Sequence, residues 1–215
     1  IAMEHQRAGL GSHLAALVEL TKPRIALLEL MTVVVAACVA SSGIPADMVV
    51  VLNALVGTAL VASSASALNQ WLERDIDAKM QRTAHRPLPA GRLSEREAFW
   101  FGVITVVLGT GCLLWLVNLT TALIGVATWI LYVGVYTPMK KRTSSNTLIG
   151  AIAGAGPVLM GWSAVAPSWG SREDMLLAAT LFGIVFFWQF PHFMAIAWMY
   201  RDEYSRAGVK MLTVT

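Results

Sequence analysis

The chain has 215 residues, of which 56% are hydrophobic and only 13% are charged, and its formal net charge is +3. Soluble domains carry about 25% charged residues, so this composition excludes an ordinary soluble globular protein. We therefore expect membrane lipid to surround most of the chain, and we expect no nucleic-acid partner. In a membrane protein the placement of the charges is more informative than their small surplus.

Six apolar stretches approach the roughly 20 residues that a helix needs to cross a hydrocarbon core of about 30 Å. They lie at residues 25–40, 49–68, 98–117, 119–136, 147–165 and 176–198. These stretches are too long for barrel strands, and lipid requires the backbone to be paired within each segment. The sequence therefore predicts an all-α, polytopic transmembrane helical bundle, with residues 1–215 forming one membrane-embedded domain.

The two ends of the chain carry further information. More than twenty residues, several of them charged, precede the first apolar stretch, and no small-residue cleavage site follows it, so it is not a signal peptide. We expect the chain to be C-terminally truncated, because it stops soon after a polar segment.

Cys38 and Cys112 lie inside apolar stretches, where their spacing indicates neither a disulfide nor a zinc site.

The basic residues predict the orientation. If six helices alternate across the membrane, the N-terminus and segments 69–97, 137–146 and 199–215 share one side. That side holds fifteen of the sixteen Lys and Arg residues, and only Arg172 lies on the other. Because loops rich in Lys and Arg stay in the cytoplasm, these segments are predicted to be cytoplasmic, as in an inner-membrane protein.

A polar cluster follows the second apolar stretch. Asn69, Glu73 and Asp77 are spaced by four residues, so they share one face if the helix continues, whereas Asp75 points elsewhere. An amide and two carboxylates form a site of hard oxygen ligands that suits Mg²⁺.

The alternative is that a helix leaving the membrane simply becomes polar, with Glu73 paired to Arg74 or Lys79. A second acidic pair, Asp202 and Glu203, favours the metal site, because it follows the sixth stretch on the same side. Two carboxylate clusters among basic side chains are suited to binding a metal–diphosphate group. The predicted metal ligands are therefore Asn69, Glu73, Asp77, Asp202 and Glu203.

Five motifs carry a resemblance to a known family. Asn69, Glu73 and Asp77 are followed by RT at 82–83 and RPLPAG at 86–91. The others are TKPRI at 21–25, YTPMKKRT at 136–143, FFWQFPHF at 186–193 and RDEYSRAGVKML at 201–212. In this order they resemble the UbiA-type intramembrane prenyltransferases, and within them the protoheme IX farnesyltransferases, or heme O synthases. The chain departs from the common pattern at Glu73, where many members have Asp, and at Asp202-Glu203-Tyr204, which replaces a DxxxD motif.

The resemblance implies a UbiA-type fold with about six of nine helices present. It implies transfer of a farnesyl group from farnesyl diphosphate to a vinyl group of heme B, with Mg²⁺ as cofactor and heme A synthase or oxidase assembly as a contact. The implied catalytic residues are Asn69, Glu73, Asp77 and Asp202. Diphosphate contacts are implied for Lys22, Arg24, Arg82, Lys140 and Lys141, and a heme contact for His192.

Several interpretations stay open. His192 either contacts heme or caps a carbonyl freed by Pro191. Aromatic residues of the sixth stretch either line a prenyl channel or face lipid, and Gly150 and Gly154 either pack helices closely or widen a cavity. The acceptor is alternatively a quinone precursor or a chlorophyllide. An ion-coupled transporter is the alternative of another class, although it would place ionisable residues near the midplane.

Overall fold

The computed structural model describes residues 9–166 and 169–210, and within them the chain forms helices and no strand. The helices are α1 (Leu10–Leu20), α2 (Pro23–Ala40), α3 (Met48–Asp77), α4 (Glu95–Leu116), α5 (Leu119–Met139), α6 (Asn146–Val165), α7 (Arg172–Met199) and α8 (Arg201–Ala207). Six of them, α2 to α7, are long and apolar enough to cross a membrane. The predicted all-α bundle with six spans is confirmed.

Side-chain caps mark the first residues of three spans. Asp47 accepts hydrogen bonds from the backbone of Val49 and Val50 at the start of α3. Ser94 with Glu97, and Ser171 with Asp174, form reciprocal capping boxes at the starts of α4 and α7. Such caps satisfy backbone N–H groups that a helix start otherwise leaves unpaired.

Helix α3 is longer than its apolar stretch. Its 30 residues span about 45 Å, and its last two turns extend beyond the predicted end at residue 68. The polar residues Asn69, Glu73 and Asp77 therefore belong to the same rigid helix as the membrane span. We call the end of the bundle where α3 finishes the polar end.

Helix α6 lies at the centre of the bundle and is the most buried span. A Cβ atom at Gly161 would collide with the backbone of Val33 in α2, and one at Gly154 would collide with the side chain of Gln189 in α7. These glycines permit close helix approach, as small residues commonly do in membranes. Gly154 also lines a cavity beside α6, so it serves both of the roles left open by the sequence.

Helix α5 changes its winding near the polar end. Residues Ile130–Tyr136 form a π-helix, and the hydroxyl of Thr137 donates to the carbonyl of Tyr132 at 2.8 Å. Short π-helical segments are rare and often occur at functional sites. This segment brings Tyr132, Tyr136 and Thr137 towards the end of α3.

The polar end is covered by helix α1 and by residues 78–94. Ala16 and Leu20 of α1 pack with Leu88 and Leu93 in a small apolar core. The opposite side of α1 exposes Leu10, Leu14 and Val18, the pattern of a helix that lies along a membrane surface. The sequence prediction did not include this helix.

Candidate active site

Asn69, Glu73 and Asp77 are all buried on one face of α3. They line a cavity at the polar end, whereas Asp75 is exposed and lies outside it. The wall of the cavity is completed by Ile76 of the same helix and, from other parts of the chain, by Lys22, Met80, Arg82, Arg86, Tyr132, Tyr136, Lys140, Tyr204 and Val209. The cavity thus contains one amide, two carboxylates and four basic side chains.

Each side chain of the α3 cluster has a basic partner. Lys22 Nζ donates to Asn69 Oδ1 at 3.1 Å, and Arg86 Nη1 donates to Asp77 Oδ2 at 2.7 Å. Lys140 Nζ lies 2.8 Å from Glu73 Oε1 and donates to Oε2 at 3.1 Å. Three cations therefore face two carboxylates in a restricted space, and this surplus of positive charge favours an anionic ligand.

Lys22 is held at the junction between α1 and α2 in an unusual conformation. Its φ of 53° and ψ of 61° are left-handed, a region in which a non-glycine residue is strained. The following Pro23 begins α2 and fixes the direction in which the chain leaves. This junction directs the ammonium group of Lys22 to Asn69.

The pKa of Lys22 reflects the crowding of positive charge. Burial lowers the pKa of Lys22 to about 7, and the nearby charges of Arg86 and Lys140 act in the same direction. The carboxylates Glu73 and Asp77 oppose this effect. An additional anion in the cavity would favour the protonated form.

Lys140 follows the last turn of α5. Burial alone would lower its pKa, but Glu73 and the hydroxyls of Tyr136 and Tyr132 outweigh burial and hold the pKa above its usual range. Its ammonium group also lies 4.5 Å from the centre of the Tyr136 ring. Lys140 is therefore a fixed cation in the cavity, whereas Lys141 is exposed outside it.

Residues 78–94 bring the arginines to the cavity. The buried Thr83 donates to the backbone carbonyl of Asp77 at 2.9 Å, which turns the chain back over the end of α3. Arg82 then meets α8, because its backbone N–H donates to Glu203 at 3.3 Å and its guanidinium donates to Tyr204 at 3.3 Å.

The second acidic pair does not join the α3 cluster as the predicted metal ligands would. The Asp202 side chain is 84% exposed and lies 3.8 Å from Arg201, and neither Asp202 nor Glu203 lines the cavity. Glu203 instead accepts from the backbone of Arg82. In the short helix α8, Tyr204 is the residue that turns towards the cavity.

The remaining predicted site residues lie outside the cavity. Arg24 lines an outer groove that also contains Lys22, Arg82 and Arg86. His192 is exposed on α7 and stacks on Trp188, with ring centres 4.9 Å apart. Phe187 and Trp188 are exposed as well, so this aromatic face points away from the cavity. The last residues of the motif at 201–212 fall outside the described residues.

Four polar residues of the cavity were not predicted as site residues: Arg86, Tyr132, Tyr136 and Tyr204. A signal exists for two of them, since Tyr132, Tyr136 and Lys140 are spaced by four residues as Asn69, Glu73 and Asp77 are. The position of Arg86 depends on the fold of residues 78–94, which has no periodic pattern.

A second, mostly apolar cavity continues from the first into the bundle. Lys22 and Tyr132 line both cavities. The deeper part is lined by Ile25, Val61, Trp129, Pro157 and Met160, with Glu29 as its acidic residue. A charged head group and an attached apolar chain would thus find complementary surroundings side by side.

Comparisons with known proteins identify the family. A family model described as the UbiA prenyltransferase family matches residues 30–215. The chain is 46% identical to a protoheme IX farnesyltransferase of Rhodopirellula baltica over 198 residues, covering 92% of the chain and 67% of that protein. It is also 46% identical over 209 residues to the one of Solibacter usitatus, covering 92% of the chain and 68% of that protein. The chain thus spans about two thirds of the length of these relatives.

Solved structures share the fold. A UbiA homolog from Archaeoglobus fulgidus, bound to DMAPP and Mg²⁺, superposes with a TM-score of 0.76. That match has 19% sequence identity and covers 92% of this chain and 68% of the other. At this identity the likeness concerns the arrangement of helices.

Proposed function

Because the chain belongs to the UbiA prenyltransferase family, we propose that it transfers a farnesyl group from farnesyl diphosphate to a vinyl group of heme B. The observation that carries this proposal is the pair of adjoining cavities. The polar cavity presents Lys22, Arg86 and Lys140 to a diphosphate, and the apolar cavity beyond Tyr132 receives the prenyl chain.

The α3 cluster is suited to a magnesium ion. Its amide and two carboxylates are hard oxygen donors, and all three side chains are buried and line one cavity. In the described residues no three side chains of His, Cys, Asp or Glu come together as a metal site. The two carboxylates would therefore need the amide oxygen of Asn69 and oxygens of the substrate to complete the ligands of the metal. A Mg²⁺ bound there would neutralise part of the diphosphate charge. Asp202 and Glu203 do not line this cavity and would not be among the ligands.

The reaction begins with the leaving group. The C–O bond of farnesyl diphosphate breaks with both electrons on oxygen, and the cations Lys22, Arg86 and Lys140 stabilise the released diphosphate. The outer carbon of the heme vinyl group donates its π electrons to the allylic cation and forms the C–C bond. Water adds to the inner vinyl carbon and loses a proton, so the products are heme O, diphosphate and one proton.

The acceptor is assigned through the relatives, which are named protoheme IX farnesyltransferases. His192 remains a candidate heme contact on the outer face of α7. The proposed location is the inner membrane, with the polar end in the cytoplasm, and a heme A synthase or the oxidase assembly as the recipient of the product.

The test uses membranes that contain the full-length protein, supplied with farnesyl diphosphate, Mg²⁺ and heme B. We expect heme O by mass spectrometry, and no product when the metal is removed with a chelator. If heme B stays unmodified while 4-hydroxybenzoate or a chlorophyllide is prenylated, the heme assignment is wrong.

Paired variants test the site. Asp77→Asn removes a carboxylate of the cavity and should reduce turnover about 10²–10³-fold, the range seen when one group that stabilises developing charge is lost. Asp75→Asn is the matched control, because this exposed carboxylate is two residues away and outside the cavity. Equal activity of the two variants would refute the role of the α3 cluster.

A further inference from the structure

The Glu29 side chain has no role in the reaction steps given above. It lies in the second turn of α2, within a membrane span, and is half-buried. In the described residues no hydrogen bond or ion pair involves its carboxylate; only its backbone carbonyl accepts, from Thr32. An ionisable side chain inside a membrane span is costly and usually serves a function.

Glu29 lines the apolar cavity, and Lys22 on the same side of α2 lines both cavities. Lys22, Ile25 and Glu29 all line the apolar cavity, as residues spaced by three and four on one helix face do. Glu29 lies two turns, or about 10 Å, beyond Lys22 along α2. Because helix side chains lean towards the N-terminus, the carboxylate leans back towards the polar end, where the reacting carbon of the prenyl group would lie.

The same cavity has room for water. Thr58 Oγ1, which lines it, is buried and has no hydrogen-bond partner in the described residues. Buried hydroxyls are nearly always paired with protein or with an ordered water. Ser66 and Thr128 add two further hydroxyl-bearing residues to the lining, and the shared residue Lys22 connects the cavity to the polar end.

We propose that Glu29 is the base that accepts the proton of the water added to the heme vinyl group. This inference rests on the proposed function. After the C–C bond has formed, the inner vinyl carbon is a cation. The water oxygen donates an electron pair to that carbon, its O–H bond breaks, and the proton moves to the Glu29 carboxylate. The carboxylate later returns the proton to solvent through the polar end, so charge and atoms balance.

The proposal predicts which product forms when the base is removed. Without a base for water, the cation instead loses a proton from the adjacent CH₂ group to solvent and gives an anhydro product with one more double bond. Glu29→Gln keeps the shape of the side chain and removes its basicity, and Glu29→Asp restores a carboxylate one methylene shorter.

The experiment uses membranes with the full-length protein in H₂¹⁸O, and measures diphosphate release and the masses of the farnesylated hemes. We expect the ratio of ¹⁸O-hydroxylated to anhydro product to fall at least about tenfold in Glu29→Gln, whatever its rate of diphosphate release, since a general base contributes roughly 10²–10⁴-fold. Glu29→Asp should recover most of the hydroxylated product.

An unchanged product ratio in Glu29→Gln would overturn the proposal, whether or not the total rate falls, since a structural or purely electrostatic role would slow both products together. A different result would contradict the proposed function itself: the wild-type protein would make no farnesylated heme of either mass. The proposed role of Glu29 would then also be wrong.

Discussion

Lys140 and Lys141 are neighbours in sequence with different surroundings. Lys140 Nζ lies within 2.8 Å of the buried Glu73, and Lys141 is exposed. In Lys140→Gln the carboxylate of Glu73 stays buried without its cation, which costs about 3–5 kcal/mol when one partner of a buried pair is lost. We expect a lower thermal unfolding midpoint in detergent and a higher KM for farnesyl diphosphate.

Lys141→Gln is the control for this prediction, because it removes the same charge from the adjacent position without touching Glu73. Its unfolding midpoint and KM should stay close to those of the wild type. A similar KM for the two variants would show that general positive charge at this end, and no specific contact of Lys140, attracts the substrate.

The α3 cluster shows what residue spacing can and cannot predict. A spacing of four placed Asn69, Glu73 and Asp77 on one face, because a helix repeats every 3.6 residues whatever surrounds it. The same reasoning did not identify Arg86, which reaches Asp77 only because Thr83 turns the chain back at the carbonyl of Asp77. Such a turn depends on tertiary contacts, which have no period in the sequence.

The length of the apolar stretches predicted all six spans, since the membrane sets that length. The winding of α5 was not predictable in this way. Residues Ile130–Tyr136 are as apolar as any α-helical span, and only the hydrogen-bond pattern distinguishes a π-helix. Helix α1 was also missed, because its 11 residues are too few to cross a membrane.

The contact between α6 and α2 depends on Gly161. A Cβ at this position meets the backbone of Val33, which cannot move aside as a flexible side chain could. We expect Gly161→Ala to destabilise the protein by about 1–3 kcal/mol or more, the usual cost of overpacking, measured as a lower unfolding midpoint in detergent.

Gly183→Ala in α7 is the matched control, because a Cβ there has no atom within 4 Å. Alanine in a helix interior should leave stability unchanged or raise it by up to about 1 kcal/mol. Equal effects of the two substitutions would mean that α2 and α6 do not approach each other as closely as the structure shows.

The ion pair between Glu19 and Arg92 joins α1 to residues 78–94. Arg92 Nη1 lies 2.6 Å from Glu19 Oε2, and hydrogen bonding to Arg92 holds the pKa of Glu19 below 4.5 despite partial burial. Since this pKa is lowered by folding, the pair stabilises the protein above about pH 4.5, and the contribution is lost as pH falls through the lowered pKa.

Both side chains of this pair are about 40% exposed, so its contribution should not exceed about 1 kcal/mol. We therefore expect Arg92→Gln to lower the unfolding midpoint slightly at pH 7 and to match the wild type at a pH where Glu19 is protonated in both states. A difference that persists at that pH would show that Arg92 acts through its hydrogen bond to the His85 carbonyl.

For the whole molecule, orientation in the membrane decides where the substrates arrive. The polar end carries the four basic side chains of the cavity, and the opposite end has Arg172 at the start of α7. Because loops rich in Lys and Arg tend to remain in the cytoplasm, we propose that diphosphate enters and leaves on the cytoplasmic side. The polar end should also retain α1, whose exposed Leu10, Leu14 and Val18 can rest on the membrane surface.

Single cysteines can test this orientation in the full-length protein. With Cys38 and Cys112 replaced by serine, Lys141→Cys should react with a membrane-impermeant maleimide only after the membrane is permeabilised, and Glu173→Cys should react while the membrane is intact. Both native residues are exposed and near opposite ends of the bundle, so access depends on sidedness alone. The reverse pattern would place the diphosphate cavity on the outer side of the membrane and would refute the proposed path of the substrate.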